Sequence, residues 1–122
     1  MPTECARVLV IDDEAVLRGL LRDMLAACGY DADLAADGAA GLERYRSQRY
    51  NAVITDLLMP GMNGFEVVDA LRMIDPEVRI IMLTGSARPL TSSRARESRV
   101  TLLHKPIALG ELKAAVDAAC KL

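Results

Sequence analysis

Arg7-Val8-Leu9-Val10-Ile11-Asp12-Asp13-Glu14 passes in one step from a run of apolar residues to three acids. A short, near-continuous apolar run bounded by polar residues reads as a strand covered on both faces. After it, Val16, Leu17, Leu20, Leu21, Met24, Leu25 and Cys28 recur at helical spacing, and Gly29 stops them. A buried strand that ends in acids and leads into a helix is the first βα unit.

The unit repeats along the chain. Asp31 to Ala35 is a weak second strand, and Asp37 can cap a helix carrying Ala40, Leu42 and Tyr45. Ala52 to Thr55 is a third strand, and Asp56 to Asn63 a loop holding Pro60 and Gly61. Gly64 to Ile74 is a helix with Phe65, Val68 and Leu71 on one face, broken by Asp75-Pro76. Arg79 to Leu83 is a fourth strand. Ala87 to Ser98 is a poor helix, rich in Ser and Arg, with a basic face from Arg88, Arg94, Arg96 and Arg99. Val100 to Leu103 is a fifth strand. Ala108 to Cys120 is a closing helix, with Leu109, Leu112, Val116 and Ala119 inward. Strands that alternate with helices pair in parallel, because each parallel pair needs a crossover and a helix supplies it. Such crossovers are right-handed. The expectation is one α/β domain over 1–122, a doubly wound parallel sheet with helices on both faces.

Composition narrows the function. The 122 residues are 52% hydrophobic and 26% charged, the profile of one globular domain. A chain of this length folds without disulfides or a structural metal. Its 15 basic and 17 acidic residues give a net charge of −2, without the basic excess of a nucleic-acid binder, so no direct nucleic-acid contact is expected. Cys5, Cys28 and Cys120 are odd in number and far apart, which argues against a zinc site or a disulfide framework. Cys28 and Cys120 read as reduced thiols in or near the core. No apolar run approaches the roughly 18 residues of a membrane span. Met1 to Cys5 is too short and polar for a signal peptide. A cytoplasmic protein is expected.

Open parallel sheets bind ligands at the carboxyl ends of their strands. Asp12 and Asp13 follow the first strand, Asp56 the third, Thr84 the fourth, and His104-Lys105-Pro106 the fifth. One rim thus gathers carboxylates, a hydroxyl and an amine. Clustered carboxylates repel unless a cation offsets them. Mg²⁺ suits such a site, since it takes oxygen ligands and bridges to phosphate. A carboxylate beside it can attack a phosphoryl group and form an acyl phosphate. Lys105 and the Thr84 hydroxyl would then meet the remaining phosphoryl oxygens, the positioning that phosphoryl transfer needs.

With these residues in view, the chain resembles the receiver domain of two-component response regulators. The resemblance rests on Val8-Leu9-Val10-Ile11-Asp12-Asp13-Glu14, on Asp56-Leu57-Leu58-Met59-Pro60-Gly61-Met62-Asn63-Gly64, on Leu83-Thr84-Gly85 and on Lys105-Pro106. It implies a flavodoxin-like (βα)5 sandwich with strand order 2-1-3-4-5. It implies that Asp56 accepts a phosphoryl group from the phosphohistidine of a histidine kinase or histidine phosphotransfer domain. It implies Mg²⁺, or Mn²⁺ in its place, on Asp13, Asp56 and the backbone carbonyl of Leu58, with Asp12 acting through water. Lys105 would pair with Asp56 and then with the phosphoryl oxygens. Thr84 would turn toward the phosphoryl group and switch the face read by a downstream protein or attached effector domain. A cis Lys105–Pro106 bond is also implied, and a chain of this kind is expected to be a monomer and not a turnover enzyme.

Taken singly, these residues have plainer readings: Asp12 as a helix cap, Asp56 as a turn opener, Thr84 as a strand-end hydroxyl, Lys105 as a solvated amine. Their order along one rim is what favours the functional reading. Pro60, Gly61 and Gly64 read as turn chemistry, Met59 and Phe65 as packing, and His104 as a strand-end or surface residue. The chain departs from the family at Leu102, where receivers usually carry an aromatic residue that rotates with the threonine. Leu58 stands where many relatives are polar, Ser86 lies two residues after Thr84, and Arg99 occupies a position where glycine is common. Leu58 also argues against a haloacid dehalogenase-type phosphatase, which needs an acid two residues after its nucleophile. The acids after the first strand argue against a flavodoxin-like phosphate loop. A degenerate receiver that binds partners without phosphorylation is the alternative.

Overall fold

In the computed structural model of the chain, residues 6–85 and 89–120 are described, residues 89–92 by backbone only. The elements are β1 (Arg7–Ile11), α1 (Ala15–Ala27), β2 (Asp31–Ala35), α2 (Gly38–Ser47), β3 (Ala52–Asp56), α3 (Gly64–Ile74), β4 (Ile80–Thr84), α4 (Pro89–Glu97), β5 (Thr101–His104) and α5 (Leu109–Cys120). They form a five-stranded sheet in the order β2-β1-β3-β4-β5. Every neighbouring pair is parallel. The expected fold class and strand order are therefore present.

Side chains alternate across a strand, so each central strand feeds two cores. Leu9, Ile11, Val53, Ile80 and Met82 point to one face, where Leu42 and Tyr45 of α2, Phe65, Val68 and Leu71 of α3 and Ala95 of α4 cover them. Val8, Val10, Ile54, Ile81 and Leu83 point to the other, against Leu21 and Leu25 of α1 and Leu112 and Val116 of α5. Burial on both faces explains why β1, β3 and β4 read as unbroken apolar runs.

Three strands end one residue later than their apolar runs suggest. Backbone pairing sets a strand's end and is blind to side-chain polarity. The Leu57 N–H reaches the Leu83 carbonyl at 2.9 Å, and the Lys105 N–H reaches the Thr84 carbonyl at 2.8 Å. Asp56 and Thr84 are consequently the last strand residues and not the first loop residues. Three helices also bury less than their composition suggests. Val16 is 87% exposed and Leu20 52%, so α1 is anchored by the buried Leu21 and Leu25, with Leu17 and Met24 partly buried beside them. Leu109 is exposed at the start of α5, and Ala40 on α2. Each helix touches the sheet along one stripe, and apolar residues outside the stripe stay wet.

Gly29 stops α1 with a positive φ of 90°. The Tyr30 N–H bonds the Leu25 carbonyl and the Gly29 N–H the Ala26 carbonyl, the paired bonds of a left-handed C-terminal cap. The end of α4 repeats this geometry on Arg99, φ 57°, with Val100 bonded to Ala95 and Arg99 to Arg96. The basic face of α4 is also not wholly solvated. The Arg94 guanidinium lies 4.5 Å over the Phe65 ring, a cation–π contact that ties α4 to α3. Arg88 and Ser86 lie outside the described residues, as does Cys5, while Cys28 and Cys120 are half-buried free thiols.

Gly64 opens α3 where the helix comes down on the end of β3. Asn63 and Glu66 form a reciprocal capping box there, each side chain bonding the other's backbone N–H at 2.9 Å. A Cβ on Gly64 would sit 2.7 Å from the Asp56 carbonyl oxygen and 3.0 Å from Leu57 Cα. Both are backbone atoms and cannot swing away. The need at Gly64 is therefore room, and not the turn chemistry expected from the sequence. Gly64→Ala is expected to lower unfolding stability by about 1–3 kcal/mol through overpacking. Gly110→Ala on α5, where a Cβ meets nothing within 4 Å, is expected to raise it by about 0.5–1 kcal/mol through helix propensity. Urea unfolding of the two variants measures both signs.

Candidate functional site

Parallel pairing brings the ends of β1, β3, β4 and β5 to one rim. Asp12 leaves β1, and its backbone N–H donates to the Ala35 carbonyl at 3.1 Å. The Asp12 side chain is fully buried. Its Oδ1 accepts the Glu14 N–H at 2.8 Å, which turns the chain into α1. Asp12 is therefore a turn former ahead of the helix and not its cap, since the N-cap position of α1 is Glu14. Its Oδ2, however, is buried and has no hydrogen-bond partner. An orphaned carboxylate oxygen in the interior is costly, and a metal ion is one of few things that relieve it.

Asp13 is exposed beside it, and Asp56 ends β3 at 6% exposure. Asp12, Asp13 and Asp56 each offer an oxygen atom, all within 4.8 Å of one another. Lys105 Nζ stands 3.0 Å from Asp56 Oδ1, and the Leu57 N–H donates to the same oxygen at 3.1 Å. Asp56 Oδ2 accepts from none of the described groups. Burial pushes the Asp56 carboxyl above its ordinary value, Lys105 opposes this by hydrogen bond and charge, and Asp13 adds to the rise. The Asp12 carboxyl is also raised, first by burial and then by the charges of Asp56 and Asp13; the Glu14 N–H and Lys105 pull the other way. Three carboxylates and one ammonium leave the rim with two uncompensated negative charges when all are ionised. This donor set of hard oxygens fits a hard divalent cation.

Every side chain that the sequence placed on this rim is found there. Thr84 is the last residue of β4, buried at 2% exposure, one step beyond Leu83, which faces Asp56. Lys105 follows β5, bound through its backbone N–H to Thr84, and the Lys105–Pro106 bond is cis. Leu58 follows on the loop at 73% exposure. His104 ends β5 exposed, and Met59 and Phe65 are packed in the core, as expected. Leu102 is partly buried against the core on the α3–α4 face. Sequence reasoning missed two contributors. The Leu57 backbone N–H has no sequence signal. Arg18, whose Nη1 holds the Asp12 carbonyl at 2.7 Å, lies six residues on and reaches back only because α1 starts where it does.

What this arrangement can do chemically is bind a cation between acids and present one carboxylate, half tethered by an ammonium, to an electrophile. The chain is also similar to known proteins. The family described as response regulator receiver domain matches residues 8–117. The response regulator MprA of Mycolicibacterium vanbaalenii is 38% identical over 115 residues, covering 92% of this chain and 49% of that protein. MprA of Mycobacterium ulcerans matches to the same extent. The chain thus spans about half the length of the curated relatives it matches. Among solved structures, the chemotaxis protein CheY4 of Vibrio cholerae superposes with a TM-score of 0.89 at 31% identity, covering 95% of this chain and 99% of that one. A receiver domain from Clostridium thermocellum gives a TM-score of 0.89 at 27% identity, with 94% of each chain covered. A fold with this strand order, an acidic rim of this make-up and a family match over most of its length place the chain in the response regulator receiver domain family of two-component signalling.

Proposed function

We propose that this receiver takes a phosphoryl group onto Asp56 from the phosphohistidine of a histidine kinase or a histidine phosphotransfer domain. The observation that carries the reading is the Lys105–Asp56 ion pair, 3.0 Å, set beside the Asp12, Asp13 and Asp56 cluster. A free Asp56 oxygen attacks phosphorus as the nitrogen–phosphorus bond of the donor breaks. The bonding electrons return to the imidazole, and an acyl phosphate remains. Lys105 holds the carboxylate in the ionised, nucleophilic form before transfer and pairs with a phosphoryl oxygen after it. Thr84, one strand over, supplies its hydroxyl to a second oxygen. Asp13, Asp56 and the Leu58 carbonyl would hold Mg²⁺, or Mn²⁺, with Asp12 behind a water. When bound there, the ion offsets the rim's negative charge and draws charge from the phosphoryl oxygens.

The donor would dock on α1, where Val16 and Leu20 lie exposed on one side of the helix near the site. The output partner, a separate protein or an attached effector domain, would read the face built by α4, β5 and α5. The reading makes the chain one receiver domain over 1–122, a monomer of the cytoplasm that promotes its own modification without turning over a substrate. It assigns no direct contact with nucleic acid. Among the described residues no helix is long and apolar enough to cross a membrane.

Incubation with Mg²⁺ and acetyl phosphate, followed by intact mass, tests the reading. The expected result is a single phosphoryl adduct that is lost without Mg²⁺ and in Asp56→Asn. No adduct, under conditions that label a control receiver, would favour a degenerate receiver that binds its partner unphosphorylated.

Leu58 sets the expected lifetime of that adduct. An exposed apolar side chain two residues from Asp56 screens the acyl phosphate and gives an attacking water no hydrogen-bond partner. After removal of the donor, the adduct is expected to decay more slowly in the parent than in Leu58→Asn, by about ten-fold, the value of one well-placed hydrogen bond in the hydrolytic transition state. Equal decay rates would remove Leu58 from the account.

A further inference from the structure

The end of the sheet opposite Asp56 concentrates positive charge. Arg72 lies in the last turn of α3, Arg79 just before β4, and Arg99 just after α4. Together they border a cavity of about 250 Å³. Arg79 and Arg99 also border a second of about 260 Å³, which runs on past Thr101 to Ala118 and Ala119 of α5. The two spaces share a wall and form one open groove.

Among the described residues, none of these three arginines pairs with a carboxylate, whereas Arg7, Arg22 and Arg49 each do. Two of them make long bonds to backbone carbonyls: Arg72 Nη2 to Arg99 at 3.3 Å and Arg99 Nη2 to Pro76 at 3.4 Å. Each bond uses one of a guanidinium's five N–H groups. The Nε–H of Arg72 is buried without a partner. Nearby Asp75 is already committed to the Tyr45 hydroxyl at 2.6 Å, to Arg49 at 3.2 Å and to the Glu77 N–H at 3.0 Å. Among the described residues Glu77 is the one acid in the groove's lining. Burial and the charge of Arg99 both push the Arg72 guanidinium below its ordinary value, the mark of crowded like charges.

We propose that this groove binds an acidic segment of a partner protein, with at least two Asp or Glu side chains seated on Arg72, Arg79 and Arg99. Two features favour side-chain carboxylates over a compact phosphate. First, α3 and α4 end here, so the groove faces helix C-termini, whose carbonyls repel a phosphate dianion; phosphate sites use helix N-termini. Carboxylates on side chains reach the outer edges of the guanidinium groups, where two parallel hydrogen bonds form, without approaching those carbonyls. Second, the two cavities share Arg79 and Arg99 and their linings run from Pro76 to Ala119, which suits a length of chain. The surface lies at the other end of the strands from Asp56, so occupancy and phosphorylation are separable.

The test is an NMR titration of the full chain with an octapeptide of alternating Glu and Gly, with inorganic diphosphate as a second probe. The expected result is that the peptide moves the side-chain Nε–Hε signals of Arg72, Arg79 and Arg99 and the Thr101 amide. Arg79→Gln and Arg99→Gln are each expected to weaken binding about ten-fold, the loss of one charged hydrogen-bonded pair. Arg46→Gln on α2 is expected to leave binding unchanged. Unaltered affinity in Arg79→Gln, or shifts centred on Arg94 and Arg96, would overturn the proposal. So would diphosphate that displaces the peptide and binds more tightly, which would assign the groove to a small phosphorylated ligand.

Discussion

One ammonium set against three carboxylates governs the rim of this receiver. Asp12 and Asp56 are buried, Asp13 stands beside them, and Lys105 offsets a single charge. Without Lys105 the Asp56 carboxyl would have burial and two neighbouring anions against its ionisation, and a protonated carboxyl is a poor nucleophile. With it, one Asp56 oxygen is tethered and the other is left for chemistry. The surplus negative charge that remains suits the site to a hard divalent cation.

The scaffold exists to hold those charges together at a fixed spacing. Asp12, Asp56, Thr84 and Lys105 sit at the ends of strands that are adjacent in the sheet but distant in sequence. Their relative positions follow from backbone register, which leaves little freedom. Burial of β1, β3 and β4 on both faces makes that register costly to slip. Gly64 lets α3 close over the Asp56 backbone, and the Leu57 N–H steers the carboxylate. On the same face of the sheet as α3 and α4, Leu102 is partly buried against the core. The Arg94 guanidinium lies over the Phe65 ring and ties α4 to α3.

The apolar runs Val8–Ile11 and Ile80–Leu83 made the central strands legible, and with them the parallel sheet. The acids and Lys105 were legible because strand ends are where such sheets place ligands, so their order along the chain carried three-dimensional meaning. Strand ends slipped by one residue because hydrogen-bonded pairing continues past the apolar run onto Asp56, Thr84 and His104. Leu109 read as inward and Val16 and Leu20 as part of a helical repeat, yet helix periodicity does not say how wide the covered stripe is. Gly64 looked like a turn residue, since a close approach between α3 and the β3 backbone has no local signature. The arginines of the far groove come from the end of α3, from just before β4 and from just after α4, and no spacing in the sequence announces that they converge.

If the acids of the rim repel one another, a cation that binds between them must stabilise the folded chain. Thermal unfolding of the parent chain and of Asp13→Asn, with and without Mg²⁺, tests it most directly. A ligand that binds only the folded state stabilises it by about 2.7 kcal/mol at a hundred times its Kd, a shift of several degrees in a domain of this size. The expected result is a higher Tm for the parent with Mg²⁺. Asp13→Asn is expected to have a higher Tm than the parent without metal, because one repelling charge is gone, and to respond little to Mg²⁺. A parent Tm indifferent to Mg²⁺, or an Asp13→Asn variant less stable than the parent without metal, would contradict it.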